Sequence, residues 1–208
     1  MLLLVKRIYF VFALLICILI ILKSIEYYSP NFERGFLIGK SGIFPVYKFF
    51  LYVHIVGAPI ALLSGLFQFS FRKSNFHRSI GLIYIASILL LAGPGGLGMS
   101  FYVIGGTINT INFLLMALLW LLTTSLAFYY AKQKSYEKHR SMMTRSFILT
   151  NSAILIRLFS YINHEFLIFD LELGYVIISW ISWLPALLTY ELMQIKKRLT
   201  NDIAYASK

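Results

Sequence analysis

The stretch NTINFLLMALLWLLTTSLAFYYA, Asn109–Ala131, decides the fold. It contains no Asp, Glu, Lys or Arg, and its first charged neighbour on the C-terminal side is Lys132. A bilayer core about 30 Å thick is crossed by about 20 apolar residues at helical rise. Lipid offers no partner to backbone N–H and C=O groups, so an open chain crosses it as a helix. Working outward, five further stretches have the same character: Ser79–Val103, Lys48–Ser70 and Ile8–Tyr27 before it, Ser141–Tyr161 and Gly174–Met193 after it. The expectation is an all-α integral membrane protein of about six transmembrane helices, forming one membrane domain over residues 1–208. Helices two to five (48–161) are expected to make a four-helix core. The first (8–27) and sixth (174–193) are expected at its periphery.

Composition supports lipid as the solvent. The chain is 59% hydrophobic and 13% charged, where a soluble domain carries about 25% charged residues. The net charge of +11 is held in short gaps between apolar runs. No gap is long enough for a basic soluble domain, so nucleic acid is excluded as a partner. The partners expected are the lipid bilayer and a second membrane protein or a second copy of the chain. Cys17 is the only cysteine, which excludes an intramolecular disulfide and a thiolate metal cluster. The first run has a basic start at Lys6 and Arg7, but its exit, Leu22–Tyr28, has no small-x-small pattern. It reads as an uncleaved anchor.

The charges also orient the helices. With both termini inside, the cytoplasmic face receives Lys6, Arg7, Arg72, Lys73, Arg78, Lys132, Lys134, Lys138, Arg140, Arg145, Lys196, Lys197, Arg198 and Lys208, which is 14 of 19 basic residues. The loop after the fifth helix holds Glu165, Asp170 and Glu172 and no Lys or Arg. This is the positive-inside asymmetry of a multi-pass protein, expected in a bacterial cytoplasmic membrane.

Against this apolar ground the polar residues stand out. His77-Arg78-Ser79 opens the third helix and His139-Arg140-Ser141 opens the fifth. Packed as parallel hairpins, the two would meet at one depth. Gly81 and Tyr84 continue the face of His77. From His139 one face runs through Met143, Ser146, Thr150 and Ala153 to Arg157, five full turns and roughly 27 Å away. It is the only polar stripe of that helix and should point inward. On the second helix His54, Gly57, Ala61, Gly65 and Gln68 share a small, polar face. His54 and Arg157 are expected at similar depth, so the bundle would hold a polar cluster near each end. Arginine within a span is costly, about 2.5 kcal/mol or more at the centre. Arg157 therefore either meets a buried partner or snorkels to headgroups. His164 reads as an incidental surface residue. Gly93-Pro94-Gly95-Gly96-Leu97-Gly98 marks either a kink with close packing or an unwound segment lining a site. No P-loop, H-E-x-x-H or G-x-S-x-G occurs.

These residues also carry a resemblance. His54-Ile55-Val56-Gly57 with Gly65–Gln68, His77-Arg78 with Gly81 and Tyr84, Gly93-Pro94, Trp120 with Thr123-Thr124, His139-Arg140 with Met142–Ser146, and Arg157 occur in order. The chain from His54 to Arg157 resembles a family of bacterial multi-pass membrane proteins, domain-of-unknown-function family 2306. The resemblance implies a multi-pass fold and supplies no activity. At Met142 the family pattern has Trp, a departure expected to loosen packing beside His139.

Three functional classes fit this reading. One is an accessory or structural membrane protein without chemistry of its own. Another is a b-type haem or quinone-linked redox protein. In it His77 and His139 would be the iron ligands, Arg78 or Arg140 would pair with propionates, and a quinone or small-solute site would lie beside His54, Gln68 and Arg157. The third is a small-solute carrier using the glycine break and Arg157.

Overall fold

The computed structural model describes residues 2–33, 37–71 and 76–206. Arg72, Lys73 and Lys208, counted above among the cytoplasmic bases, lie outside them, as do the side chains of Lys6 and Arg7. Among the described residues there is no strand. The helices are α1 (Leu2–Ile25), α2 (Phe44–Ser70), α3 (His77–Tyr102), α4 (Gly106–Lys132), α5 (Tyr136–Phe166), α6 (Leu171–Ile181) and α7 (Leu184–Ala206). Short turns place sequence neighbours side by side. The α4–α5 turn is closed by Ser135 N–H donating to Tyr130 O and Lys134 N–H donating to Ala131 O, with Lys134 at φ +56°. That pair of bonds satisfies the last carbonyls of α4.

Among the described residues, five stretches are long and apolar enough to cross a membrane: α1 from Phe10 to Tyr28, α2, α3, α4, and α6–α7 together as Leu171–Thr200. The sequence reading expects six. The helix that falls short is α5, because it carries Arg140, Arg145, Arg157 and the hydroxyl stripe. It is nonetheless 31 residues long, and it packs extensively along α4. Its polarity is turned inward: Met143, Ser146, Leu149, Thr150, Ser152 and Ile154 are its buried residues. Other helices expose an apolar surface, as on α1, where Val11, Leu15, Leu19 and Leu22 are each more than half exposed. Such a surface is what lipid covers. On its other face α1 seats Ala13, Cys17 and Ile20 against Leu62 and Leu66 of α2 and Ile154 of α5. The spacing of i, i+4 and i+7 makes that one face.

The glycine-rich segment is not unwound. Within α3 an α-helical start (His77–Ala86) widens to a π turn over Ser87–Ala92, then resumes as α-helix over Gly93–Met99. Pro94 donates no N–H, and the backbone adapts by shifting to wider bonds, Gly93 N–H reaching Ile88 O. Such single π turns are a recognised accommodation inside helices. The glycines let α3 lie directly on α2. A Cβ on Gly95 would stand 2.7 Å from the His54 nitrogen and 2.8 Å from Phe50 O. One on Gly57 would stand 2.6 Å from the Ala92 nitrogen. Close packing of small residues is therefore the role of this segment.

Candidate functional site

The polar residues of the core form two clusters joined along α5. At the start of α3 and α5, Gln68, Phe69, His77, Tyr136, His139, Arg140 and Met143 line one cleft of about 240 Å³. The two motif histidines are thus brought together, as their sequence positions suggest. The His139 Nδ1–H donates to Ala127 O at 2.8 Å. A carbonyl only accepts, so the ring proton is held on Nδ1 and Nε2 is left as an acceptor. Gln68 is buried, and its amide Nε2 donates to His77 Nε2 at 3.0 Å. Gln68 Oε1 is buried with no hydrogen-bond partner. Rotating the amide would let Oε1 accept from a protonated His77 Nε2, so the pair accommodates either state of the ring. Arg140 lines the cleft, whereas Arg78 is exposed and does not. Met142 packs on the cluster of Ala61, Tyr84, Ile85, Ile88, Ala127 and Met143.

Next along α5 comes a network of hydroxyls. Tyr84 is fully buried, and its hydroxyl bonds Ser146 Oγ at 2.7 Å and Thr150 Oγ1 at 2.8 Å. Trp120 Nε1–H donates to Thr150 Oγ1 at 3.0 Å, and Thr124 bonds Ser146 at 2.7 Å. Every member finds a partner, which is the condition for a stable polar network in a low-dielectric core. It ties α3, α4 and α5 together. The two-helix face predicted from sequence is assembled here, through Tyr84, Ser146 and Thr150.

Beyond the network on α5 stands Arg157. Its guanidinium lies within electrostatic reach of Tyr27, Tyr175 and Cys17, and His54 lies within reach of it. His54 is half-buried, its Nδ1–H donating to Ala92 O at 2.8 Å. The expected company of His54 and Arg157 is therefore found. Arg157 is exposed. Its one hydrogen bond goes to Ala153 O on its own helix, at 2.9 Å. Among the described residues, no carboxylate lies within ion-pair distance of it.

Sequence reasoning missed several groups. Lys40, in the loop before α2, is 6% exposed and stands 5.4 Å from the centre of the Tyr47 ring. Burial pulls its pKa down to about 8. Tyr27 and Tyr175 gave no periodic signal. Asn109 and Asn112, three residues apart in an apolar span, were a legible one. They receive Ser179 Oγ and Trp183 Nε1 and bind α6 and its following turn to α4. Arg145 forms a bidentate pair with Glu191 of α7 at 2.6 and 2.7 Å. His164 is a surface residue beside Glu165.

A bis-histidine haem does not fit this geometry. His77 Nε2 is taken by Gln68, and Gln68 fills the slot beside Gly81, where a Cβ would stand 2.8 Å from its Nε2. The cleft volume of about 240 Å³ is below the roughly 300–1,000 Å³ of sites for drug-sized ligands.

Fold and interior together define a multi-pass α-helical membrane protein with a polar core inside an apolar shell. The chain belongs to the family described as predicted membrane protein (DUF2306), which matches residues 51–194. The match extends past Arg157 to take in α6 and the first part of α7. No curated protein and no solved structure matches the chain.

Proposed function

We propose that the protein binds a small hydroxylated ring compound, of quinol type, in the cleft of Gln68, His77 and His139. One observation carries this reading: Gln68, whose buried Oε1 has no hydrogen-bond partner, and His139, whose Nδ1–H is held by Ala127 O, line one cleft with Phe69, Met143 and Tyr136. A ligand with two O–H donors and an apolar ring complements that wall. A buried acceptor without a partner costs about 1–3 kcal/mol, which such a ligand would recover. Arg140 at the rim would favour the partly ionised form. The site lies at the end of the bundle where basic residues gather, and we place that end, with both termini, at the cytoplasmic face of a bacterial cytoplasmic membrane. The α2–α5 helices form the core of the binding unit.

The test uses the purified full-length protein in neutral detergent. Methylhydroquinone, a ring of the size the cleft admits, should raise the thermal unfolding midpoint saturably. His139→Ala and Gln68→Leu should each weaken binding roughly tenfold, the worth of one hydrogen bond to a desolvated acceptor. Absence of saturable stabilisation, or binding untouched by both substitutions, refutes the reading. A reduced-minus-oxidised absorption spectrum with a b-type band lost in His139→Ala would replace it with the haem reading. Reporter fusions test the orientation. Those after Ser70 and Lys134 should read cytoplasmic, and those after Gly105 and Leu171 external.

A further inference from the structure

The last helix, α7, carries charge and apolar surface that neither the bundle nor the cleft uses. Leu188, Leu192, Ile195 and Leu199 recur at intervals of four, three and four, so they form one stripe along the helix. Each is more than half exposed. Lys196, Lys197 and Arg198 stand towards the C-terminal end of that stripe and are exposed. Lys196, four residues after Leu192, and Arg198, three after Ile195, border it on its two sides. Residues 192–200 hold these three bases and no Asp or Glu. Among the described residues, none of the three makes an ion pair.

Register sets the depth of the bases. Asn163 bonds Phe169 at one end of α5 and Arg145 bonds Glu191 further along it, so α6 and α7 return antiparallel to α5. Five to seven residues beyond Glu191, at about 1.5 Å each, Lys196–Arg198 come level with Lys138 and Arg140 near the start of α5. This is the end of the apolar stretch Leu171–Thr200. Bases at such a boundary reach the lipid headgroups, while the stripe before them meets acyl chains.

We propose that this end of α7 is a docking surface for an anionic phospholipid, its phosphate held by Lys196 and Arg198 and an acyl chain lying along Leu192 and Ile195. Charge complementarity selects the occupant. A Lys or Arg beside a membrane favours anionic lipid by about fivefold per base. A phospholipid also presents charge and hydrocarbon in the order in which α7 does. A second α7 on the same stripe would bring Lys196 and Arg198 against their own copies, and Glu191, an acid that could relieve this, is held by Arg145. A soluble anion would leave the stripe uncovered.

The experiment reconstitutes the full-length protein in nanodiscs of equimolar dioleoylphosphatidylglycerol and dioleoylphosphatidylcholine and counts the lipids retained on release by native mass spectrometry. The wild type should retain phosphatidylglycerol in preference, and less so as NaCl is raised. Lys196→Gln, Lys197→Gln and Arg198→Gln together should lower that preference at least roughly tenfold, given the contribution of each base. The charge-matched control, Arg78→Gln with Lys132→Gln and Lys134→Gln, should keep most of it. All six positions are exposed, and an unchanged unfolding midpoint in phosphatidylcholine alone verifies the fold of both variants. Absence of a wild-type preference, or an equal loss in the two triple variants, overturns the proposal. So does a dimer that Ile195→Ser with Leu199→Ser dissolves while phosphatidylglycerol is not preferred, since the stripe is then an interface between copies. Gln68 and the cleft histidines take no part, so the result is independent of the quinol reading.

Discussion

Gly95→Ala is the sharpest test of how α2 and α3 are held together. In an exposed helix this change stabilises by up to about 1 kcal/mol, because alanine is the better helix former. Here the added Cβ would lie 2.7 Å from the His54 nitrogen and 2.8 Å from Phe50 O, where ordinary contact begins at 3.4 Å. The helices would have to part by about 0.6–0.7 Å. Both obstacles are backbone atoms, so no side-chain rotation relieves them. Overpacking of this kind costs about 1–3 kcal/mol, and with backbone on both sides the upper half of that range applies. Subtracting the propensity gain leaves a net loss of about 1–2 kcal/mol, a factor of roughly 5–30 in the folding equilibrium. The assay is reversible unfolding in mixed micelles followed by far-UV circular dichroism. Gly42→Ala is the control, since nothing stands within 4 Å of its added Cβ. A Gly95→Ala protein as stable as the wild type, or more so, would refute the close-packing account and reopen a looser α3.

Tyr84→Phe should cost about 1 kcal/mol. Two hydrogen bonds are lost, at about 0.6 kcal/mol each for bonds within a membrane bundle, while Ser146 turns to Thr124; a double-mutant cycle with Thr150→Val should show coupling between the two positions. Glu191→Gln should cost only about 1 kcal/mol because Glu191 keeps 38% of its side chain exposed, measured by the same unfolding assay. Lys40 has a folded pKa of about 8 against 10.5 when free. Between those values the unfolded chain binds more protons, so stability should rise as pH increases from about 8 towards 10.5. Titration of the unfolding midpoint should show that rise in the wild type and a flatter profile in Lys40→Met.

The chain alone determined that this is a helical membrane protein. Runs such as Asn109–Ala131 have no state in water, and in lipid the backbone has one open-chain solution. The chain also determined which residues matter, since each polar group in such a run is conspicuous. The face from His139 through Ser146 and Thr150 to Arg157, and the small face of α2 down to Gln68, follow from helical period alone. Tertiary structure decided what those residues do. Gly93–Gly98 permitted either a broken helix or close packing, and the choice depends on the distance between α2 and α3, which no single-helix pattern contains. His77 read as an iron ligand until Gln68, nine residues earlier on another helix, was seen bonded to its Nε2. Arg145 and Arg157 look alike in sequence. One meets Glu191, brought from 46 residues away by α7, and the other has no carboxylate within ion-pair distance among the described residues. Whether a charge in a membrane core is neutralised or left to act is set by which helices pack around it, and packing is long-range.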